Sequence, residues 1–290
     1  MGQRLEWGRR YLMVRPDHFR IDHVINPYMS TQDQPDPVLT LKQWESLGQA
    51  IVDAGGEVEV LAQRSDSPDM VYAMNLGLAA ADGRAMLSHM RFEPRRKESL
   101  TAAEWFAEHG FALGRTGGEG VGPHFESGDA FVFGDSLVVG YGPRTEAEAL
   151  KHLATDWNIR VRGLRIAHEG MYHLDLPFCP VDSTHAMIYP PAFDAASQAE
   201  LSGIVPDPIV LTDAEAFAFS ANSIVVGDTI IMPACSDRLR AILTGLGLTL
   251  VVLDLSEFHK GGGSARCLTN PLDFPLADIT VPGGELIAPA

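Results

Sequence analysis

Three cysteines in 290 residues, Cys179, Cys235 and Cys267, are too few and too widely spaced for a disulfide framework. They also miss the intervals of a metal site. The ten histidines form no His-Glu-x-x-His or comparable cluster, so no metal is expected. Basic residues are scarce, 22 against 38 acidic, and the formal net charge is −16. Nucleic acid and anionic membrane surfaces require clustered Lys and Arg, so neither is expected as a partner, whereas a small cationic ligand suits the balance. No apolar run reaches the roughly 18 residues of a membrane helix. The N-terminal Met-Gly-Gln-Arg-Leu-Glu-Trp-Gly-Arg-Arg lacks the apolar core of a secretory signal, which points to the cytoplasm. Linker-like Pro/Ser or Gly/Ser tracts are missing between Val14 and Asp273, so residues 1–290 read as one domain.

What the chain does have is ordinary globular composition, 46% hydrophobic and 21% charged, and a repeating grammar. Tyr11–Val14 is a strand candidate, and Thr40–Ala54 has helical apolar spacing (Leu41, Trp44, Leu47, Ile51) stopped by Gly55-Gly56. Glu57–Leu61 then alternates like a strand. Val71–Met90 predicts two strands around Asp82-Gly83, followed by a helix over Lys97–His109. Ala130–Val139 turns at Gly134-Asp135, with a helix over Thr145–Asp156 and a strand over Arg160–Ile166. Thr184–Tyr189 is a further strand, Ala195–Gly203 a helix, Ser223–Met232 a hairpin around Gly227-Asp228, Ser236–Thr244 a helix and Leu248–Leu255 a strand. A hairpin, helix and strand recurring four or five times suggests repetition around an axis or along a solenoid, since doubly wound sheets explain frequent hairpins less well.

Several motifs carry residues suited to chemistry. His259-Lys-Gly-Gly-Gly-Ser-Ala-Arg-Cys267 delivers one thiol behind three glycines, an arrangement that favours unusual dihedrals or close approach by another group. In Tyr172-His-Leu-Asp175, an extended backbone would point His173 and Asp175 to one face. Phe125-Glu-Ser-Gly-Asp129 places Glu126 ahead of a hydrophobic strand pair, where a buried carboxylate needs a cation. Asp69 and Asn75 flank a strongly apolar strand candidate, one at each end, and Pro94-Arg-Arg-Lys and Gly142-Pro-Arg144 are basic spots suited to a carboxylate. Each motif alone fits a turn, a solvated surface or a structural cysteine equally well.

Taken in order, Asp69, the arginine pair at 95 and 96, Phe125-Glu126-x-Gly-Asp129, Gly142-Pro-Arg144, His173-Leu-Asp175 and the glycine loop before Cys267 resemble the guanidino-group modifying, or pentein, superfamily. The likeness runs from about Val14 to Leu272 and is greatest to the dimethylarginine dimethylaminohydrolase branch. It implies an α/β fold, a five-bladed pseudo-symmetric propeller of ββαβ units, acting without metal or organic cofactor on a small guanidino substrate. It implies that Cys267 attacks the guanidinium carbon to form a covalent thiouronium, that His173 works as acid and base, and that Glu126 and Asp175 hold the guanidinium. Arg96 and Arg144 match positions that bind the substrate carboxylate, with Asp69 and Asn75 completing the substrate-binding set.

Two departures bear on the substrate. Met74-Asn75 stands where dimethylarginine hydrolases tend to have Glu-Asp, and Asp175 stands where the mammalian type has no acid. Asn75 resembles the arginine dihydrolase group, in which both nitrogens are removed to give ornithine. The expectation is therefore hydrolysis of arginine or an N-methylated arginine to citrulline, with arginine dihydrolase or amidinotransferase as alternatives. A non-catalytic propeller binding a cationic ligand or a protein is the alternative of a different class. Homo-oligomerisation is left open.

Overall fold

The computed structural model describes residues 2–116 and 122–289. Strand β1 (Arg10–Val14) is followed by helix α1 (Pro37–Asp53) and β2 (Glu57–Leu61), and the same order recurs along the chain. Hairpin β3 (Gly77–Ala79) and β4 (Arg84–Leu87) leads to α2 (Glu98–Glu108) and β5 (Ala112–Arg115). Hairpin β6 (Ala130–Phe133) and β7 (Ser136–Tyr141) leads to α3 (Ala147–Trp157) and β8 (Arg160–Arg165). Then come β9 (Phe178–Pro180), β10 (His185–Ile188), α4 (Ala195–Ile204), β11 (Asp207–Val210) and the short α5 (Asp213–Phe217). The last full unit is β12 (Ile224–Val226), β13 (Thr229–Met232), α6 (Asp237–Gly245) and β14 (Thr249–Val252). Helix α7 (Ser256–His259), β15 (Asn270–Pro271) and β16 (Glu285–Ile287) close the sequence.

Among the described residues these strands form five small sheets, ordered β15-β1-β2, β3-β4-β5, β6-β7-β8-β16, β9-β10-β11 and β12-β13-β14. Each pairs its central strand antiparallel to one neighbour and parallel to the other, the parallel partner arriving through the intervening helix. In the first sheet the antiparallel partner comes from the far end of the chain, with Tyr11 opposite Pro271 and Leu12 opposite Asn270. Antiparallel strands β3, β6, β9, β12 and β15 are buried throughout, whereas β2, β5, β11 and β14 are mostly exposed or half-exposed. The inner ends of the sheets are thus where backbone and side chains leave solvent.

Local chemistry explains the boundaries. Helix α1 begins earlier than its apolar spacing predicts because the Asp36 carboxylate accepts from the Val38 and Leu39 N–H groups and Pro37 occupies the first turn. The hairpin turns at Gly134 (φ +59°) and Gly227 (φ +62°) lie in the left-handed region that glycine adopts without strain. Three expectations need correction. Residues Pro68–Val71 and Ala73–Leu76 are consecutive 3₁₀ turns, so Asp69 and Asn75 sit on turns and not at the two ends of a strand. His173 and Asp175 lie in a turn closed by the Leu176 N–H on the His173 carbonyl (3.2 Å), with the Leu174 and Asp175 N–H groups drawn to Asp129 Oδ1 (2.8 Å) and the Gly128 carbonyl (3.1 Å) and so unavailable to a strand ladder. Leu248–Leu255 is strand only over Thr249–Val252, and α7 intervenes before the glycine loop.

Candidate active site

The segments that enter β3, β6, β9, β12 and β15 converge around one enclosed cavity. Its lining includes Asp69, Asn75, Tyr72, His173, Arg144 and Cys267. About 10 Å³ is free to a water-sized sphere, room for roughly one water. A larger, mainly apolar pocket of about 400 Å³, lined also by Phe92 and Pro143, shares Ile25, Asn26, Arg144 and Tyr172 with it.

Cys267 owes its position to side chains from distant units. The Asn222 Oδ1 accepts from the Ser264 N–H (3.0 Å) and the Cys267 N–H (3.2 Å), and its Nδ2 donates to the Cys267 Sγ (3.1 Å). The Tyr72 hydroxyl donates to the Phe258 carbonyl (2.7 Å), the Tyr172 hydroxyl to Gly262 (2.5 Å), and Asn26 Nδ2 to Gly261 (3.0 Å). A side chain at Gly262 would meet both Asn26 and Tyr172 and would sit at φ +89°, so the glycine run is the condition for this packing. The thiol is buried and donates to Asp175 Oδ2 (3.2 Å). Burial first, then the negative charge of Asp175, pushes it well above the ordinary cysteine range. The Asp175 carboxyl is itself pushed up by burial.

On the opposite wall, His173 Nε2 meets Glu126 Oε2 at 2.7 Å, and Arg144 Nη1 donates to the same oxygen at 3.0 Å. Burial would raise the Glu126 pKa, but Arg144 and then His173 outweigh it and hold the carboxyl well below its usual range. The Arg91 N–H donates to the other oxygen (3.0 Å). Arg144 is sandwiched between Phe92 and Tyr172, 4.8 and 4.6 Å from their ring centroids. Asn75 Oδ1 accepts from the Gly128 N–H (3.1 Å), and Asp69 Oδ2 meets His23 Nε2 (2.7 Å). Gly128 permits the whole junction: a Cβ there would lie 2.7 Å from Asn75 Oδ1, 3.3 Å from His173 Nδ1 and 3.4 Å from Asp175 Oδ2.

Of the residues singled out by sequence, Cys267, His173, Asp69, Asn75 and Arg144 line the cavity, with Glu126 and Asp175 bonded directly behind them. Arg96 does not join them. The 3₁₀ turn Glu93–Arg95 directs Arg95 inward and leaves Arg96 exposed, on the carbonyls of Met90 (3.3 Å) and Arg91 (3.2 Å). Arg95 lines the cavity instead, gripped by Glu98 through Nε (2.9 Å) and Nη2 (2.8 Å). Sequence reasoning missed Asn222, although it stands five residues before the turn glycine Gly227 as Asp129 stands before Gly134. Among the described residues no group of three or more His, Cys, Asp or Glu could hold a metal ion.

Residues 15–273 match the family model described as N,N dimethylarginine dimethylhydrolase, eukaryotic. The N(G),N(G)-dimethylarginine dimethylaminohydrolase of Mycobacterium tuberculosis is 35% identical over 261 residues, 90% of this chain and 85% of that protein. The bifunctional arginine dihydrolase/ornithine cyclodeaminase AgrE of Nostoc is 34% identical over 93% of this chain, which spans 38% of its length. Its crystal structure as a binary complex with L-arginine superposes with a TM-score of 0.88. The N-terminal domain of ArgZ, an arginine dihydrolase whose full-length form is from Synechocystis, was solved bound to product. It superposes with a TM-score of 0.87 at 33% identity, covering 92% of this chain and 98% of that domain.

Proposed function

The chain belongs to the dimethylarginine dimethylaminohydrolase family of the guanidino-group modifying superfamily, and from that membership we propose that it hydrolyses the guanidino group of arginine or an N-methylated arginine. The observation that carries this reading is the meeting of one thiol, one imidazole and the carboxylates of Glu126 and Asp175 around a cavity walled on its other sides by Arg95 and Arg144. The two acids suit a planar cation by charge and hydrogen-bonding geometry, and the two arginines suit a substrate carboxylate.

The chemistry follows from the charges. In the resting site the Cys267 thiol is protonated, and a bound guanidinium supplies the adjacent positive charge that favours the thiolate. The thiol passes its proton to Asp175 Oδ2, the acceptor of its hydrogen bond, the thiolate attacks the guanidinium carbon, and His173 donates a proton to the departing nitrogen as the C–N bond breaks. Ammonia or a methylamine leaves, and the carbon stays on sulfur as a thiouronium. His173 then takes a proton from water, whose oxygen attacks that carbon. The C–S bond breaks, the sulfur takes back its proton from Asp175, the remaining hydroxyl proton passes to solvent, and citrulline is released. Neither a metal nor an organic cofactor enters these steps.

Asn75 favours a second reading, removal of both nitrogens to give ornithine. Its side chain lines the cavity and carries no charge, so the pocket beside the reacting carbon can accept a neutral ureido group as well as a guanidinium. Arginine dihydrolases among the relatives support it. Quantifying citrulline, ornithine, ammonia and methylamines from arginine and methylarginines decides between the two. No product from any of them would remove both.

The repeated strand order, and β15 reaching back to β1, support closure of the five sheets into a five-bladed propeller making one domain over residues 1–290. The acidic composition and the absence, among the described residues, of a helix long and apolar enough to cross a membrane fit a cytoplasmic enzyme. Oligomerisation would be decided by light scattering.

A further inference from the structure

Arg266, the neighbour of Cys267 in the chain, is a fully buried cation outside the mechanism above. It is 1% exposed, and Nε, Nη1 and Nη2 all lack a hydrogen-bond partner among the described residues. Its guanidinium instead lies against aromatic faces, 4.6 Å from the Phe131 centroid, 5.5 Å from Trp7 and 5.6 Å from Phe274. Ring quadrupoles attract a cation without cancelling its charge as a carboxylate would, so its field extends to whatever anion lies near.

Three other buried acids around the site have cations or imidazoles in contact, whereas Asp129, like Asp175, has none among the described residues. Glu126 has Arg144 and His173, Asp69 has His23, and Glu98 has Arg95 at 2.8 Å. Asp175 has none: Oδ2 accepts only from the Cys267 thiol, and Oδ1 has no partner. The groups that bear most on the charge of Arg266 include Tyr11, Asp175, Cys179 and Cys267. Burial keeps the Tyr11 phenol neutral and pushes Cys179 up to about 12, so neither holds a negative charge at neutral pH. Of these, the pair that can carry charge is Asp175 and Cys267, bonded at 3.2 Å, where burial pushes the Asp175 carboxyl up and His173 and then Arg266 pull it down.

We propose that Arg266 is a positioning residue whose buried charge, spared neutralisation by its aromatic surroundings, holds a single negative charge on the Asp175–Cys267 pair. One proton is shared between thiol and carboxylate, and Arg266 stabilises the pair with that second proton absent. The pair is then poised to receive a guanidinium. The other titratable groups facing it are His173, beside Asp175, and Tyr28, Tyr72 and Tyr172, beside Cys267. Burial raises all three phenols, so they are neutral and do not compete for this role.

The proposal rests on the reading of Cys267 as nucleophile, but its test does not need turnover. The rate of iodoacetamide alkylation of Cys267 in the free protein, followed by peptide mass so that Cys179 and Cys235 are scored separately, is measured against pH for the parent, Arg266→Met and Arg266→Lys. In Arg266→Met the alkylation midpoint moves up by about one pH unit or more, and kcat falls while KM changes little. Arg266→Lys brings the midpoint back toward the parent value. A midpoint unchanged in Arg266→Met, or shifted equally in Arg266→Lys, overturns the proposal, because the residue then acts through shape alone. Should Arg266→Met fail to fold, Arg266→Gln is read by the same criteria. Turnover failing in every assay while these midpoints still shift would count against the hydrolase reading and leave this one standing.

Discussion

The hairpins β6-β7 and β12-β13 are built alike. Each turns at a Gly-Asp pair with the glycine at positive φ, keeps the same antiparallel register and feeds a helix that returns a parallel outer strand. Their entrances differ. Before β6 come Glu126, Gly128 and Asp129, two buried acids around a glycine, whereas the equivalent stretch before β12 runs from Phe219, at φ +62°, to the amide Asn222. Asp129 and Asn222 stand at the same distance from their turns, yet one accepts the Leu174 N–H (2.8 Å) and the other holds the thiol and its loop. Strands repeat because each must bury the same kind of face. Entrances diverge because each contributes a different group to one shared cavity.

If that division holds, substitutions at entrances should cost activity and those at turns only stability. The largest effect belongs to Cys267→Ser, expected to lower turnover by on the order of 10³-fold or more and to abolish the covalent mass shift seen on acid quenching with substrate. Glu126→Gln should follow. It removes the anion between Arg144 and His173, lowering kcat by about 10²-fold and stability by about 3 kcal/mol in urea unfolding, since Arg144 is left buried without its counter-charge.

Asn222→Ala sharpens the comparison from the neutral entrance. It strands the N–H groups of Ser264 and Cys267 and frees the sulfur, with an expected loss of about 10- to 100-fold in kcat and about 2 kcal/mol in stability. Two glycines of the β6 unit give the direct test. Gly128→Ala places a methyl against Asn75, His173 and Asp175 and should impair kcat/KM, whereas Gly134→Ala meets nothing within 4 Å and should cost only about 1 kcal/mol of stability with activity kept. Equal loss of activity in both would break the distinction.

The smallest effect concerns Asp129, whose carboxyl burial pushes up to about 7 from 3.8, against the pull of His173. A raised carboxyl stabilises the fold fully below its unfolded value, and that contribution is lost as pH rises from about 4 through about 7. Asp129→Asn should therefore flatten the decline in unfolding free energy across that window, measured by urea titration at successive pH values.

Much of this was legible in the sequence, and the reason is periodicity. Alternating or helically spaced apolar residues around Gly134-Asp135, Gly227-Asp228 and Leu41-Trp44-Leu47-Ile51 report burial directly, and the corresponding elements form. The short strands β9, β11, β15 and β16 carry too few residues for any period to show, and β15 exists because Leu12 and Tyr11 offer an open edge some 260 positions away. Chemistry-bearing residues stood out where type and order were distinctive, as at Cys267 and His173. Selecting between Arg95 and Arg96 was beyond the sequence, because a 3₁₀ turn decides which of two adjacent arginines faces inward. Asn222 was hidden because an amide in an Ala-Asn-Ser context looks like any turn, and its role comes from the loop it meets.

The pairing of β15 with β1 has a consequence for how the molecule comes into being. The thiol lies three residues before β15, and its setting draws on groups contributed by almost every earlier part of the polypeptide. During synthesis those partners emerge before the sulfur does. A nascent chain halted before Cys267 carries the receptacle without its thiol, and chemical competence waits for the stretch that pairs β15 with β1.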